Sequence, residues 1–178
     1  METLVVNFMG APGAGKSTMA ARIFSELKWK GYDVELVGEF AKDLVWEERN
    51  FTMKDELYLF AKQNHRLFRL NGKVQVIVTD RPIILSQFYN NKYGDKSEAF
   101  KCMVKHEYDK YRNLNFFLTR NKPYNPNGRL QTEEESNAFA DEIRDMLNAM
   151  HISYMQCDGT EHFVEDIVHV ICSWLRED

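Results

Sequence analysis

The sequence predicts a three-layer α/β domain: a five-stranded parallel sheet in the order 2-3-1-4-5, with helices on both faces. Five short β-rich apolar runs alternate along the 178 residues with segments whose apolar residues recur at helical spacing. The first run, Thr3 to Phe8, is nearly continuous in apolar residues, as expected of a strand covered on both faces. Right-handed crossovers then place the strand after the first helix at one edge. The third observation is the stretch between that run and the first helix: Gly10-Ala-Pro-Gly-Ala-Gly-Lys-Ser17.

This stretch matches G-x-x-x-x-G-K-[ST], a phosphate-cradling loop, in the strand-then-helix context that gives the motif meaning. Glycines let the backbone curl so that successive N–H groups point inward, and the following helix adds its positive end. Gly10, Ala11, Pro12, Gly13, Ala14, Gly15, Lys16, Ser17 and Thr18 are therefore the candidate nucleotide-binding residues. Lys16 is expected on the β- and γ-phosphates, and the Ser17 hydroxyl on Mg²⁺. The motif implies a bound nucleoside triphosphate.

Composition bounds the rest. At 178 residues, 44% hydrophobic and 28% charged, the chain reads as one globular domain over 1–178, with a lid segment around 119–131. No apolar stretch reaches about 18 residues, and the N-terminus lacks a basic flank followed by a secretory apolar segment, so an intracellular protein is expected. Cys102, Cys157 and Cys172 have no C-x-x-C spacing and are expected as buried thiols. A net charge of −4 argues against coating nucleic acid by bulk electrostatics, although a local basic face stays open. The five histidines form no metal-like cluster, and no metal other than Mg²⁺ is expected.

In chain order, Met19, Ala20, Ile23, Phe24 and Leu27 make the first helix, which Gly31 stops. Asp33 to Val37 is the second strand, and Glu39 stands at its end. Ligands of open α/β sheets sit beyond the carboxyl ends of strands, so Glu39 is a candidate for chemistry. Asp55 to Leu70 is helical, with Leu57, Phe60, Ala61, Leu67 and Phe68 on one face and the cations Lys62, Arg66 and Arg69 displaced, Lys73 extending their row. That row is either a solvated face or a surface for phosphates. Gln63, or its neighbour Asn64, is a candidate bidentate amide for a base.

Val74 to Thr79 is the third strand and runs into Asp80-Arg81-Pro82. A strand ending in Asp beside a phosphate loop has the arrangement that holds Mg²⁺, so Asp80 is a metal candidate; its competing reading is a helix cap. Arg81 is a candidate for a substrate phosphate or for pairing with Glu39. Ile83 to Asn91 is helical, and Asn91 to Asp95 reads as a loop, so Tyr89 and Tyr93 are candidates for an acceptor pocket. Ser97 to Arg112 is a helix whose aromatic stripe reads as core. Leu114 to Leu118 is the fourth strand. Thr119 to Arg129 combines Pro, Asn and Gly with three cations, and a mobile basic lid over transferring phosphate would need such a loop, with Arg120 and Arg129 its catalytic candidates. Thr132 and Glu135 form a capping box, Ile152 to Gln156 is the fifth strand, and Asp158, Gly159 and Thr160 follow it near the expected nucleotide base. Phe163 to Trp174 closes the chain as a helix.

Taken together, these motifs resemble the P-loop kinase superfamily over nearly the whole chain. More narrowly, the phosphate loop, Glu39-Phe-Ala-Lys, Thr-Asp80-Arg-Pro, Asn-Lys-Tyr-Gly and Asn127-Gly-Arg129 resemble small AAA-type kinase-like proteins of bacteriophages, related to the nicotinamide riboside kinase domain of a bacterial NAD regulator. The resemblance implies ATP with Mg²⁺ as donor, a nucleoside- or nucleotide-like acceptor and, for a phage protein, the host cytoplasm. Glu39 and Asp80-Arg81 are also similar to their counterparts in deoxynucleoside kinases, which implies Glu39 as base and Asp80 as metal carboxylate. Two alternatives stay open: a phage kinase acting on hydroxymethylated pyrimidines in DNA, and a switching NTPase without an acceptor. The departures are Phe40 where deoxynucleoside kinases have Pro, and a lid unlike their Arg-rich one.

Overall fold

The computed structural model describes residues 2–121, 123–125, 127 and 132–176. Five parallel strands, β1 (Leu4–Met9), β2 (Val34–Val37), β3 (Val76–Thr79), β4 (Arg112–Thr119) and β5 (Met155–Asp158), lie in the order β2-β3-β1-β4-β5, the order expected. The helices are α1 (Lys16–Trp29), α2 (Phe40–Trp46), α3 (Glu56–Phe68), α4 (Leu85–Tyr93), α5 (Glu98–Tyr108), α6 (Glu133–Ala149) and α7 (Val164–Trp174), with 3-10 turns at Thr52–Lys54 and Glu161–Phe163.

The central strand β1 is wholly buried, and the alternation of its side chains divides the core in two. Leu4, Val6 and Phe8 pack with Met19, Ile23 and Leu27 of α1 and with Ile167 and Ile171 of α7. Val5 and Met9 point the other way, into a core built with Phe60, Phe88, Val104 and Ile143 from α3 to α6. Asn7 breaks the apolar run but is satisfied: its Nδ2 donates to Asn113 Oδ1 at 2.9 Å and Asn115 Oδ1 at 3.0 Å, and Tyr108 donates to the same Asn115 oxygen at 2.9 Å. This buried polar ladder pins the β1–β4 register, Asn7 opposite Asn115, which apolar contacts alone leave less specific.

Helix ends are set by local chemistry. Tyr32 N donates to Leu27 O at 3.1 Å and Gly31 N to Lys28 O at 3.0 Å, closing α1 in a Schellman motif at the expected glycine. The capping box is present: Glu135 N donates to Thr132 Oγ1 at 3.2 Å and Thr132 N to Glu135 Oε2 at 2.8 Å.

Four expectations need correction. The short helix α2 lies in a segment to which the sequence reading assigned none. Helix α4 runs through Tyr93, so Asn91 to Tyr93 is not loop. The buried face of α3 is Glu56, Leu59, Phe60, Gln63 and Leu67, whereas Leu57 and Phe68 are 58% and 69% exposed and Ala61 is also on the surface. Of the three thiols, Cys157 and Cys172 are buried but Cys102 is exposed. Among the described residues, no helix is long and apolar enough to cross a membrane.

Candidate active site

The phosphate loop leaves β1 with Gly10 at φ 131, where a side chain would be strained and its Cβ would stand 2.6 Å from Leu118 O. Gly15 caps α1 in the left-handed region, so the first amides of a 14-residue helix face the loop. Lys16 Nζ donates to Gly10 O and Ala11 O, each at 2.9 Å, and so lies folded along the loop. Two outside elements brace it. Ser136 of α6, buried, donates its Oγ to Pro12 O at 2.6 Å, and Gly159 comes so close that a Cβ there would meet Ala14 O at 2.5 Å. Neither brace was visible in the sequence, where Ser136 is one polar residue in a helix turn. Asp158, the last residue of β5 and not a loop residue as expected, turns its side chain to the turn that follows, accepting at Oδ1 from the Thr160 backbone and hydroxyl.

A cavity of about 710 Å³ opens from this loop, lined by Gly13, Lys16, Ser17 and Thr18 at one end and by Glu39, Glu56, Arg81 and Tyr89 at the other. Its far end holds a charge cluster in which Arg81 and Glu56 are buried and Glu39 and Tyr89 partly exposed. Arg81 Nε lies 3.8 Å from Glu39 Oε1, and its guanidinium sits over the Tyr89 ring at 4.0 Å. Burial works against the Arg81 charge, but Tyr89, Glu39 and Glu56 more than offset it and hold its pKa above the ordinary value. Burial likewise pushes the Tyr89 phenol up to about 12, against the pull of Arg81. Tyr93 stacks on Tyr89 with ring centroids 6.4 Å apart and also lines the cavity.

Glu56 is the residue that sequence reasoning missed. It is 5% exposed, lines the cavity and has an Oε2 with no hydrogen-bond partner. Burial pushes its carboxyl up to about 7; Arg81 pulls it down, and Glu39 and Asp55 push it further up. The one available signal was its place in the first turn of a helix after the cap Asp55, where a Glu ordinarily reads as dipole complement.

The other candidates are placed as follows. Asp80, at the end of β3, is buried with Oδ1 unpartnered. A buried carboxylate oxygen without a donor is suited to a cation, so Asp80 and the Ser17 hydroxyl fit the donor chemistry of Mg²⁺. Gln63 is corrected: its Oε1 accepts from Phe40 N at 2.9 Å and its Nε2 donates to Gly38 O at 3.3 Å, so both ends of the amide hold the backbone around Glu39 instead of facing a base. Asn64 is likewise engaged, with Glu107 and Tyr111. Arg120 lies beside the loop but outside the cavity lining; it donates to Asn137 Oδ1 at 2.6 Å, lies 2.9 Å from Glu133 Oε1 and stacks on Tyr124. Arg129 lies outside the described residues. The basic row does not reach the cavity. Lys62, His65, Arg66 and Arg69 line a separate groove of about 380 Å³ along β2, and Arg66 there is engaged by Gly38 O and Asp43.

A family model described as an AAA domain matches residues 5–162. Among solved structures, the fold is similar to the NadR protein crystallised in complex with NR, at a TM-score of 0.69 and 15% identity. That match covers 97% of this chain, which spans about half, 51%, of the NadR chain. A second similar structure is that of APE1195, at a TM-score of 0.53 and 18% identity, covering 97% of this chain and 96% of that one.

Proposed function

From the premise that the chain belongs to the AAA domain family and has a P-loop kinase-like fold, we propose that it is an ATP- and Mg²⁺-dependent phosphotransferase acting on a nucleoside- or nucleotide-type acceptor. One observation carries the reading: a single cavity joins the phosphate loop to a cluster of Glu39, Glu56, Arg81 and Tyr89, of which Glu56 and Arg81 are buried. A polar-lined compartment continuous with the phosphate loop gives an acceptor a place to sit, which hydrolysis alone does not require. The likeness to a NadR protein bound to NR supports an acceptor of nucleoside type.

In this mechanism the loop amides and Lys16 hold the phosphates, with Lys16 turning from the Gly10 and Ala11 carbonyls to the β- and γ-oxygens. Ser17 and Asp80 would hold Mg²⁺, which supplies charge neutralisation of the phosphates when bound. Arg81 fixes the Glu39 carboxylate, and Gln63 fixes the backbone on both sides of it. Glu39 orients the acceptor hydroxyl. The acceptor oxygen bonds to the γ-phosphorus, the bond from that phosphorus to the β-bridging oxygen breaks, ADP departs, and the hydroxyl proton passes to Glu39. Arg120 or Arg129 supplies positive charge; for Arg120 this requires release from Glu133 and Asn137.

The test is transfer of label from γ-labelled ATP in two variants. Lys16→Ala is expected to abolish transfer to every acceptor. Glu39→Gln is expected to bind ATP normally and lose about 100-fold or more in turnover. Full activity in Glu39→Gln overturns its role as base and moves that role to Asp80. The DNA-kinase reading is favoured by one feature, the groove along β2: among the described residues, Lys62, His65 and Arg69 there have no acidic partner. Label retained on DNA is its signature.

A further inference from the structure

We propose that Glu56 is an acceptor-binding and specificity-determining residue, whose unpartnered carboxylate oxygen takes an N–H or O–H donor from an unphosphorylated nucleoside and rejects the corresponding 5′-monophosphate. The inference deepens the phosphotransferase reading and rests on it for the identity of the cavity.

A polar group removed from water needs a partner, and a carboxylate needs donors or a cation. Glu56 is buried at the start of α3, its Oε2 has no protein donor, and the group lines the cavity at its acceptor end. The protein therefore leaves that oxygen for whatever enters. What enters is constrained by the groups facing Glu56. From the β3–α4 connection and α4 come Arg81 and Tyr89, from the start of α2 comes Glu39, and from its own element comes Asp55. One guanidinium thus faces two carboxylates in the cavity lining.

The remaining cations of the lining do not cancel this excess. Lys42 and Lys54 are solvent-exposed, where water screens their charge, and Lys16 lies along the phosphate loop. A ligand reaching Glu56 meets local negative charge, which favours neutral donors or a cation and opposes a phosphate dianion. The neighbouring Tyr89 and Tyr93 rings offer a face for a planar heterocycle. A sugar hydroxyl or an exocyclic amine beside Glu56 and a base against the tyrosines satisfy both features with one nucleoside.

The experiment is calorimetric titration of the full chain, loaded with Mg²⁺ and a non-hydrolysable ATP analogue, with adenosine, guanosine, cytidine, uridine, thymidine and nicotinamide riboside, each beside its 5′-monophosphate. Wild type is expected to bind at least one nucleoside at least about tenfold more tightly than its monophosphate. That ratio is expected to widen from pH 6 to pH 8.5, as Glu56 loses its proton. In Glu56→Gln, which keeps the shape and removes the charge, the ratio should shrink toward unity and keep only the pH dependence of the phosphate's own second ionisation at about pH 6, with affinity for the ATP analogue unchanged. A ratio that survives intact in Glu56→Gln overturns the assignment, as does wild type binding the monophosphates better or binding no nucleoside at all. Nucleoside binding that responds to Glu56→Gln without any label transfer from ATP overturns the phosphotransferase reading and leaves the Glu56 site standing.

Discussion

Replacing Glu56 by Gln also tests the electrostatics of the cavity through stability alone, with no ligand. The carboxyl is pushed from its ordinary 4.5 up to about 7 in the folded protein, first by burial. The folded chain therefore binds this proton more tightly than the unfolded chain does. Between about pH 4.5 and pH 7 folding takes up a proton, so stability falls as pH rises through that window and stays low above it. The gap between 4.5 and about 7, at about 1.36 kcal/mol per pH unit, corresponds to about 3 kcal/mol. Glutamine does not titrate, so the variant lacks this term. The attraction of Arg81 for the Glu56 charge needs no separate account, because it is one of the causes already contained in the shift, pulling the carboxyl down against burial. The assay is urea unfolding of both proteins at half-unit steps from pH 4.5 to 8.5. The stability of wild type minus that of Glu56→Gln is expected to drop by about 3 kcal/mol across the range. A difference that stays flat refutes the reasoning: it would mean that water reaches the Glu56 carboxyl freely and that no unpartnered buried oxygen waits in the cavity.

Three further outcomes follow from the bracing of the site. Ser136→Ala removes the bond to Pro12 O and should cost about 1 kcal/mol in thermal or urea unfolding, with weakened ATP binding measured alongside. Gly159→Ala drives a Cβ to 2.5 Å from Ala14 O, and since strain of this kind typically costs about 1–3 kcal/mol, ATP affinity should fall by about tenfold or more in a fluorescent-nucleotide titration. Gln63→Ala frees the backbone at Gly38 and Phe40 and should lower kcat by about 10- to 100-fold through misplaced Glu39, while ATP affinity holds.

What was legible in the sequence followed from strong local rules. The strand–loop–helix at Gly10 to Ser17, the Schellman end at Gly31 and the Thr132–Glu135 box each need particular residue types at fixed spacing, and each is present. The sheet order followed from crossover handedness. Buried polarity is what local spacing rules do not show. On α3, hydropathy assigns Leu57 and Phe68 inward and gives Glu56 and Gln63 no inward place, whereas tertiary contacts bury the polar pair and leave the apolar pair exposed. Gln63 is buried because it closes the backbone bonds around Glu39, and Glu56 because it borders the cavity. Helix α2 was missed because seven residues with a single fully buried side chain, Leu44, carry too short a pattern. The Ser136–Pro12 bond spans 124 positions, a separation at which no local spacing rule operates.

The most direct test of the central claim is incorporation of label from γ-labelled ATP, with Mg²⁺, into nucleosides, nucleoside monophosphates, nicotinamide riboside, and single- and double-stranded DNA with and without hydroxymethylated bases. Label is predicted in a nucleoside, and it should disappear in Lys16→Ala. Label recovered only as free phosphate, at the same rate whether or not an acceptor is added, would contradict the account.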